Sequence, residues 1–257
     1  MLTARFEALR ARGRRALVCY ATAGHPDPEA SIALWQGLAS AGADVLEVGV
    51  PFSDPMADGP VIQASSQAAL AHGVSLDRAL EMVSRAKLDI PVVLFSYLNP
   101  LIAAGPDVLT RAAAAGVHGV LVTDLPVGSD TAREAWLGEG PLDFVRLVAP
   151  TTPAARMAEI ARHGRGFVYL ISRLGVTGVS ELLPSDLPQT IDRLRSVCTL
   201  PICVGFGIAR PEQARSLGQH ADGIVVGSAI VRAANESVDA AVALAAGLRA
   251  ALDERTA

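Results

Sequence analysis

Leu46-Glu47-Val48-Gly49-Val50-Pro51-Phe52-Ser53-Asp54-Pro55-Met56-Ala57-Asp58-Gly59-Pro60 begins as a strand and ends as an acidic loop. From Val45 to Val50 the residues are apolar or glycine, with one carboxylate at Glu47. Alternate side chains of a strand share a face, so Val45, Glu47 and Gly49 point one way and Leu46, Val48 and Val50 the other. If one face meets helices and the other fills a barrel, Glu47 lies inside. An unpaired carboxylate there either costs several kcal/mol or takes up a proton at unusually high pH, which prepares a general acid or base. Asp54 and Asp58 follow on the loop, where one of them can face the same substrate. A plainer reading stands beside this one: a buried glutamate paired to an arginine, with two loop carboxylates capping a helix.

Outward from this strand, apolar runs alternate with helical stretches in both directions. Strands are predicted at 16–21, 45–50, 91–96, 119–122, 143–148, 167–171, 201–204 and 223–226. At least one helix follows each, and a short helix at 4–12 leads the chain. After the second strand, two helices at 61–72 and 75–86 are split at Gly73. Strict alternation implies a parallel sheet. Eight units in 257 residues suggest one closed (β/α)8 TIM barrel spanning residues 1–257, with a short N-terminal helix and an extra helix after strand two. The competing fold, an open doubly wound sheet, wants a glycine fingerprint after its first strand, and Thr22–Pro28 has none.

Composition removes several function classes. A net charge of -4 gives no global field toward nucleic acid or membrane. The arginines at 10, 12, 14 and 15 read as a solvated helix end. Cys19, Cys198 and Cys203 lack metal or redox spacing, and their odd number argues against a disulfide framework. The five histidines form no paired-ligand motif. No uncharged apolar run is long enough to span a bilayer, so the cytoplasm is the default. Lys87 is the only lysine and precedes a strand, at the end away from the active face of a βα fold, which argues against Schiff-base chemistry.

Two glycine motifs sit where barrels often hold phosphate, at the exits of strands seven and eight: Val204-Gly205-Phe206-Gly207-Ile208 and Val226-Gly227-Ser228. Tyr169 shares a strand face with Phe167 and Ile171; inside a barrel its hydroxyl needs a partner, and Glu47 is a candidate. It reads equally well as a core tyrosine. Asp124 either binds substrate or caps the helix after Pro126. The loop from Ser172 to about Asp186 is long and carries glycines, as active-face lids often do.

Taken in order, LEVGVPFSDPMADGP, TDLP, FVYLISRLGVTG, VGFGI and GIVVGSAIV resemble the tryptophan synthase α-subunit family over nearly the whole chain. The resemblance implies retro-aldol cleavage of indole-3-glycerol phosphate to indole and glyceraldehyde 3-phosphate. It makes Glu47 the acid/base carboxylate, Asp58 the partner of the indole N–H, and Tyr169 the tyrosine beside the acid/base group. Gly178, Gly205, Phe206, Gly207, Gly227 and Ser228 match a phosphate cradle, Phe95 and Ile62 an indole pocket, and Arg173 and Thr177 a lid. Met56 and Leu174 stand at positions where this chain departs from the pattern or the family varies. The resemblance also implies no cofactor in this chain, a pyridoxal-phosphate β subunit in an αββα complex, and direct passage of indole between sites. A free-standing lyase paralogue and a non-catalytic activator of a β subunit are the alternatives; intact Glu47 and Asp58 count against the second.

Overall fold

A computed structural model describes residues 1–172, 184–205 and 207–254 of the chain. Its strands are β1 (Ala16–Thr22), β2 (Val45–Gly49), β3 (Val92–Ser96), β4 (Gly119–Val122), β5 (Asp143–Val148), β6 (Val168–Ile171), β7 (Ile202–Gly205) and β8 (Gly223–Val226). Every neighbouring pair is parallel and β8 returns to β1, closing a (β/α)8 barrel. The helices are α1 (Leu2–Ala11), α2 (Pro28–Ser40), α3 (Pro60–Ala71), α4 (Leu76–Ala86), α5 (Leu98–Ala103) and α6 (Val108–Ala114). They continue with α7 (Thr131–Gly138), α8 (Ala154–Arg162), α9 (Leu187–Arg195), α10 (Pro211–Gly218), α11 (Ser228–Glu236) and α12 (Val238–Asp253).

The period of two places each strand residue. Leu17, Cys19, Ala21, Leu46, Val48, Leu94, Val120, Leu170 and Val204 face the helices and belong to the larger core. Ala16, Val18, Val45, Val93, Leu121, Val145, Phe167, Tyr169, Cys203 and Val225 fill the barrel. Sharing the face of Val45, Glu47 is therefore inside, as expected for one of two ladder positions between Tyr20 on β1 and Val93 on β3. Leu2, Phe6 and Leu9 of α1 join the same interior cluster, and Phe6 lies 5.4 Å from Phe167, ring centre to ring centre. Each such side chain, moved from water to the interior, contributes about 1.5–3 kcal/mol, so α1 is held by its apolar face.

Local chemistry accounts for the helix starts. Asp27, Ser75, Asp130 and Ser237 cap α2, α4, α7 and α12 by accepting from backbone amides in the first turn. Lys87 ends α4 at φ 48, beyond which the chain enters β3 from the end away from the active face. Arg14 and Arg15 do not form a freely solvated helix end. Arg14 pairs with Asp253 at 2.9 Å, and Arg15 donates to the carbonyl of Gly218 at 2.9 Å.

Two helices escape the sequence pattern. Leu98–Ala103 is a short helix where Asn99-Pro100 reads as a turn; proline is tolerated in a first helical turn because that amide has no intrahelical acceptor. Ser228–Glu236 is a helix in its own right, running into α12 through the Ser237 cap.

Candidate active site

β1, β2 and β3 and the loops that follow them carry two buried carboxylates and three tyrosines or phenylalanines packed near them. Glu47 is 1% exposed, and its Oε1 has no hydrogen-bond partner among the described residues. Burial alone raises its pKa from the usual carboxylate range to about 8. No arginine pairs with it among the described residues, so the plainer reading of a buried ion pair does not hold. The hydrogen bond expected between Glu47 and Tyr169 is not formed either. The two interact through space, Tyr169 being buried, with its pKa raised first by desolvation and then by the nearby carboxylate.

Asp58 is the second buried carboxylate, whereas Asp54 on the same loop is exposed. Neither caps the next helix: Gly59 is the N-cap of α3 and offers no side chain. The Tyr97 hydroxyl donates to Asp58 Oδ2 at 3.1 Å. Burial raises the Asp58 pKa to about 6, the Tyr97 hydrogen bond pulling the other way. Asp124 is a cap, though of a different helix from the one expected. It accepts from the amide of Leu98, fastening the start of α5 to the end of β4.

An apolar cluster adjoins the carboxylates. Ile62 from α3 and Phe95 from β3 pack with Tyr20 from β1 and Val231 from α11. Tyr20 was not singled out by sequence reasoning. Its ring meets Phe95 edge-on at 5.2 Å, and its hydroxyl heads a chain through Thr22 Oγ1 (3.3 Å) to Ser65 Oγ (2.7 Å). The hydroxyl also feels the charges of Asp58 and Glu47, and Tyr20 is the register partner of Glu47. The signal available in the sequence was its parity with Ala16 and Val18 on β1.

Two inner-face glycines are matched to the two tyrosines. A Cβ on Gly49 would stand 2.1 Å from the Tyr20 hydroxyl, and a Cβ on Gly205 would stand 2.1 Å from that of Tyr169. Gly205 thus makes room for a side chain of the barrel, a role separate from the anion contact expected of it. Gly207 has φ 91, a conformation that favours glycine. Gly227 is the N-cap of α11 and Ser228 its first residue; among the described residues no side chain caps this helix. Its first amides have no intrahelical acceptor, the arrangement that suits a helix start to an anion. Phe206, Arg173, Thr177 and Gly178 lie outside the described residues, as does most of the expected lid. No cluster of metal-ligating side chains occurs among the described residues.

Comparison with known proteins gives one answer. The family model described as tryptophan synthase alpha chain matches residues 6–255. The tryptophan synthase alpha chain of Laribacter hongkongensis is 48% identical over 257 residues, covering 97% of each protein. That of Gluconacetobacter diazotrophicus is 47% identical over 245 residues, 92% of this chain and 88% of the relative. Among solved structures, Mycobacterium tuberculosis tryptophan synthase superposes with a TM-score of 0.91 at 37% identity, covering 99% of this chain and 98% of that one. The subunit alpha of tryptophan synthase from Legionella pneumophila gives 0.89 at 36% identity, covering 98% of each.

Proposed function

The chain belongs to the tryptophan synthase alpha chain family, and from that premise we propose how its own residues carry the reaction. As the α subunit it cleaves indole-3-glycerol phosphate to indole and glyceraldehyde 3-phosphate, and it works with a β subunit that holds pyridoxal phosphate. We read residues 1–257 as one barrel domain working in the cytoplasm; no helix among the described residues is long and apolar enough to cross a membrane, and the three cysteines are free.

One observation supports the assignment of roles: Asp58 accepts a hydrogen bond from Tyr97 while Glu47 Oε1 has no partner among the described residues, so burial raises Glu47 further than Asp58. With a pKa of about 8, Glu47 is mostly protonated at pH 7, and with one of about 6, Asp58 is mostly ionised. Two acids whose environments push them apart are suited to different tasks. Glu47 donates its proton to indole C3, which leaves positive charge on the ring nitrogen. The Asp58 carboxylate accepts a hydrogen bond from that N–H and stabilises the charge as it grows. Glu47, now ionised, takes the proton from the hydroxyl on the carbon attached to the ring. The oxygen electrons close the aldehyde carbonyl, the carbon–carbon bond breaks, and its electron pair restores the neutral indole. Glu47 ends as it began.

Tyr20, Ile62 and Phe95 hold the ring, and Tyr169 flanks Glu47. The amides at Gly205, Gly207, Gly227 and Ser228, with the dipole of α11, receive the phosphate. Phe206 and Gly178 belong to the same cradle, and Arg173 and Thr177 to a lid over it, in the family pattern. The surface around Phe52, Met56 and Leu70, with a depression of about 450 Å³ and Met56 74% exposed, is the face we assign to the β subunit.

Indole release measured across pH tests the two roles together. kcat/KM should be bell-shaped, falling below about pH 6 as Asp58 is protonated and above about pH 8 as Glu47 loses its proton. Glu47→Gln should lower turnover by ~10²–10⁴-fold, and Asp58→Asn should also be severe. A Gln variant with near-parental kcat removes Glu47 from the chemistry.

A further inference from the structure

Tyr97 stands where three parts of the site meet. It leaves β3 and precedes α5, and it is 3% exposed. Its hydroxyl accepts from the Ala57 amide at 2.9 Å and donates to Asp58 Oδ2 at 3.1 Å. Its ring lies against that of Phe52 at 5.1 Å. All three contacts fall on the loop after β2. From the other side its backbone is pinned: the Ser96 hydroxyl donates to the Tyr97 carbonyl at 2.8 Å, and the next amide, Leu98, donates to Asp124 at 2.8 Å. Tyr97 is thus held from the β3–β4 side, while Met56 and Ala57 on the loop it contacts are exposed.

We propose that Tyr97 is the positioning residue of Asp58, and that through its hydroxyl the backbone at Ala57 governs that carboxylate. A hydroxyl has a single proton. Here the Ala57 N–H occupies a lone pair, so the proton is directed to Asp58. Donation favours the ionised form of an acid over the neutral form. A donor that itself accepts a hydrogen bond is polarised and donates more strongly. Moving Ala57 away therefore weakens the bond that keeps Asp58 charged. Among the described residues, the other titratable groups around the pair are Tyr20 from β1, Glu47 from β2 and Asp124 from β4; none of these supplies a positive charge, and the Tyr97 hydroxyl is what opposes burial at Asp58. This inference rests on Asp58 stabilising charge on the ring nitrogen, and the experiment separates the two.

Tyr97→Phe keeps the ring on Phe52 and deletes only the hydroxyl. In the free chain, carbon-13 NMR of the Asp58 carboxyl should titrate near pH 6 in the parent and on the order of one pH higher in the variant, as expected for one lost hydrogen bond to a charged group. The acidic limb of kcat/KM for indole release should move with it, while kcat at pH 8 stays within a few-fold of the parent. An unmoved NMR midpoint overturns the proposal, whatever the kinetics do. An Asp58→Asn variant that keeps its turnover overturns the role of Asp58 instead. For the loop, adding saturating β subunit should displace the acidic limb in the parent and leave it in place in Tyr97→Phe. Equal displacement in both proteins, or none in either, removes Ala57 from the account.

Discussion

Glu47 is a liability to the fold at neutral pH, and the sign of the effect can be worked out. In the unfolded chain its carboxyl ionises near 4.5; in the folded barrel it keeps its proton until about 8. Between those values the folded state holds the extra proton, so stability falls as pH rises, and the loss is complete once the folded carboxyl has ionised too. Glutamine mimics the neutral acid and does not ionise. Glu47→Gln should therefore gain in Tm relative to the parent as pH goes from 4.5 to 8, with a constant gap above that. A gap independent of pH would mean that the carboxyl is solvated or paired in solution. Strain of this kind is common where activity is purchased with stability. A lone acid on an apolar strand was legible in the sequence because parity puts it on one face with Val45 and Gly49. Tyr20 and Tyr97 were not, because their roles arise from neighbouring strands: β1 and β3 flank β2, and only the register Tyr20 to Glu47 and Gly49 to Phe95 sets them beside it.

The element we assign to the substrate phosphate is α11. It starts at the exit of β8 with glycine at its N-cap and, among the described residues, no side-chain cap, so its first amides have no intrahelical acceptor and suit an anion. Gly227 has φ -114, outside the left-handed region, and a Cβ there would lie 3.5 Å from Tyr20, an ordinary contact. Gly227→Val should then fold with little loss while its methyl groups enter the cradle. KM should rise by ~10–100-fold, the equivalent of one lost charge-assisted bond, with Tm nearly unchanged. An unchanged KM would put the phosphate elsewhere. The glycine motifs that pointed to this region were visible as sequence, but the helix was not: Ser228–Glu236 merges with the long α12 pattern, and only the Ser237 cap divides them. The VGFGI stretch was legible as a glycine motif at a strand exit, whereas the fit of Gly205 to the Tyr169 hydroxyl depends on β6 and β7 being adjacent.

At the scale of the whole molecule, the order of strands was legible because a parallel barrel imposes strict alternation, and each strand carries its apolar period. The function of α1 was not, since an amphipathic helix before the first strand does not say which end of the barrel it covers. Its Leu2, Phe6 and Leu9 pack into the barrel interior against residues such as Val18, Val145 and Phe167. Phe6→Ala should cost about 3–5 kcal/mol in urea unfolding, as for other buried phenylalanines, while kcat of the folded fraction is retained. A loss under about 1 kcal/mol would show that α1 is loosely attached, since that is below the range for a well-packed ring. Leu2 and Phe6 fill one end of the barrel, and Glu47, Asp58 and the start of α11 lie toward the other. A partner seated over that end would stand between both carboxylates and bulk water, and so would set the medium in which they exchange protons.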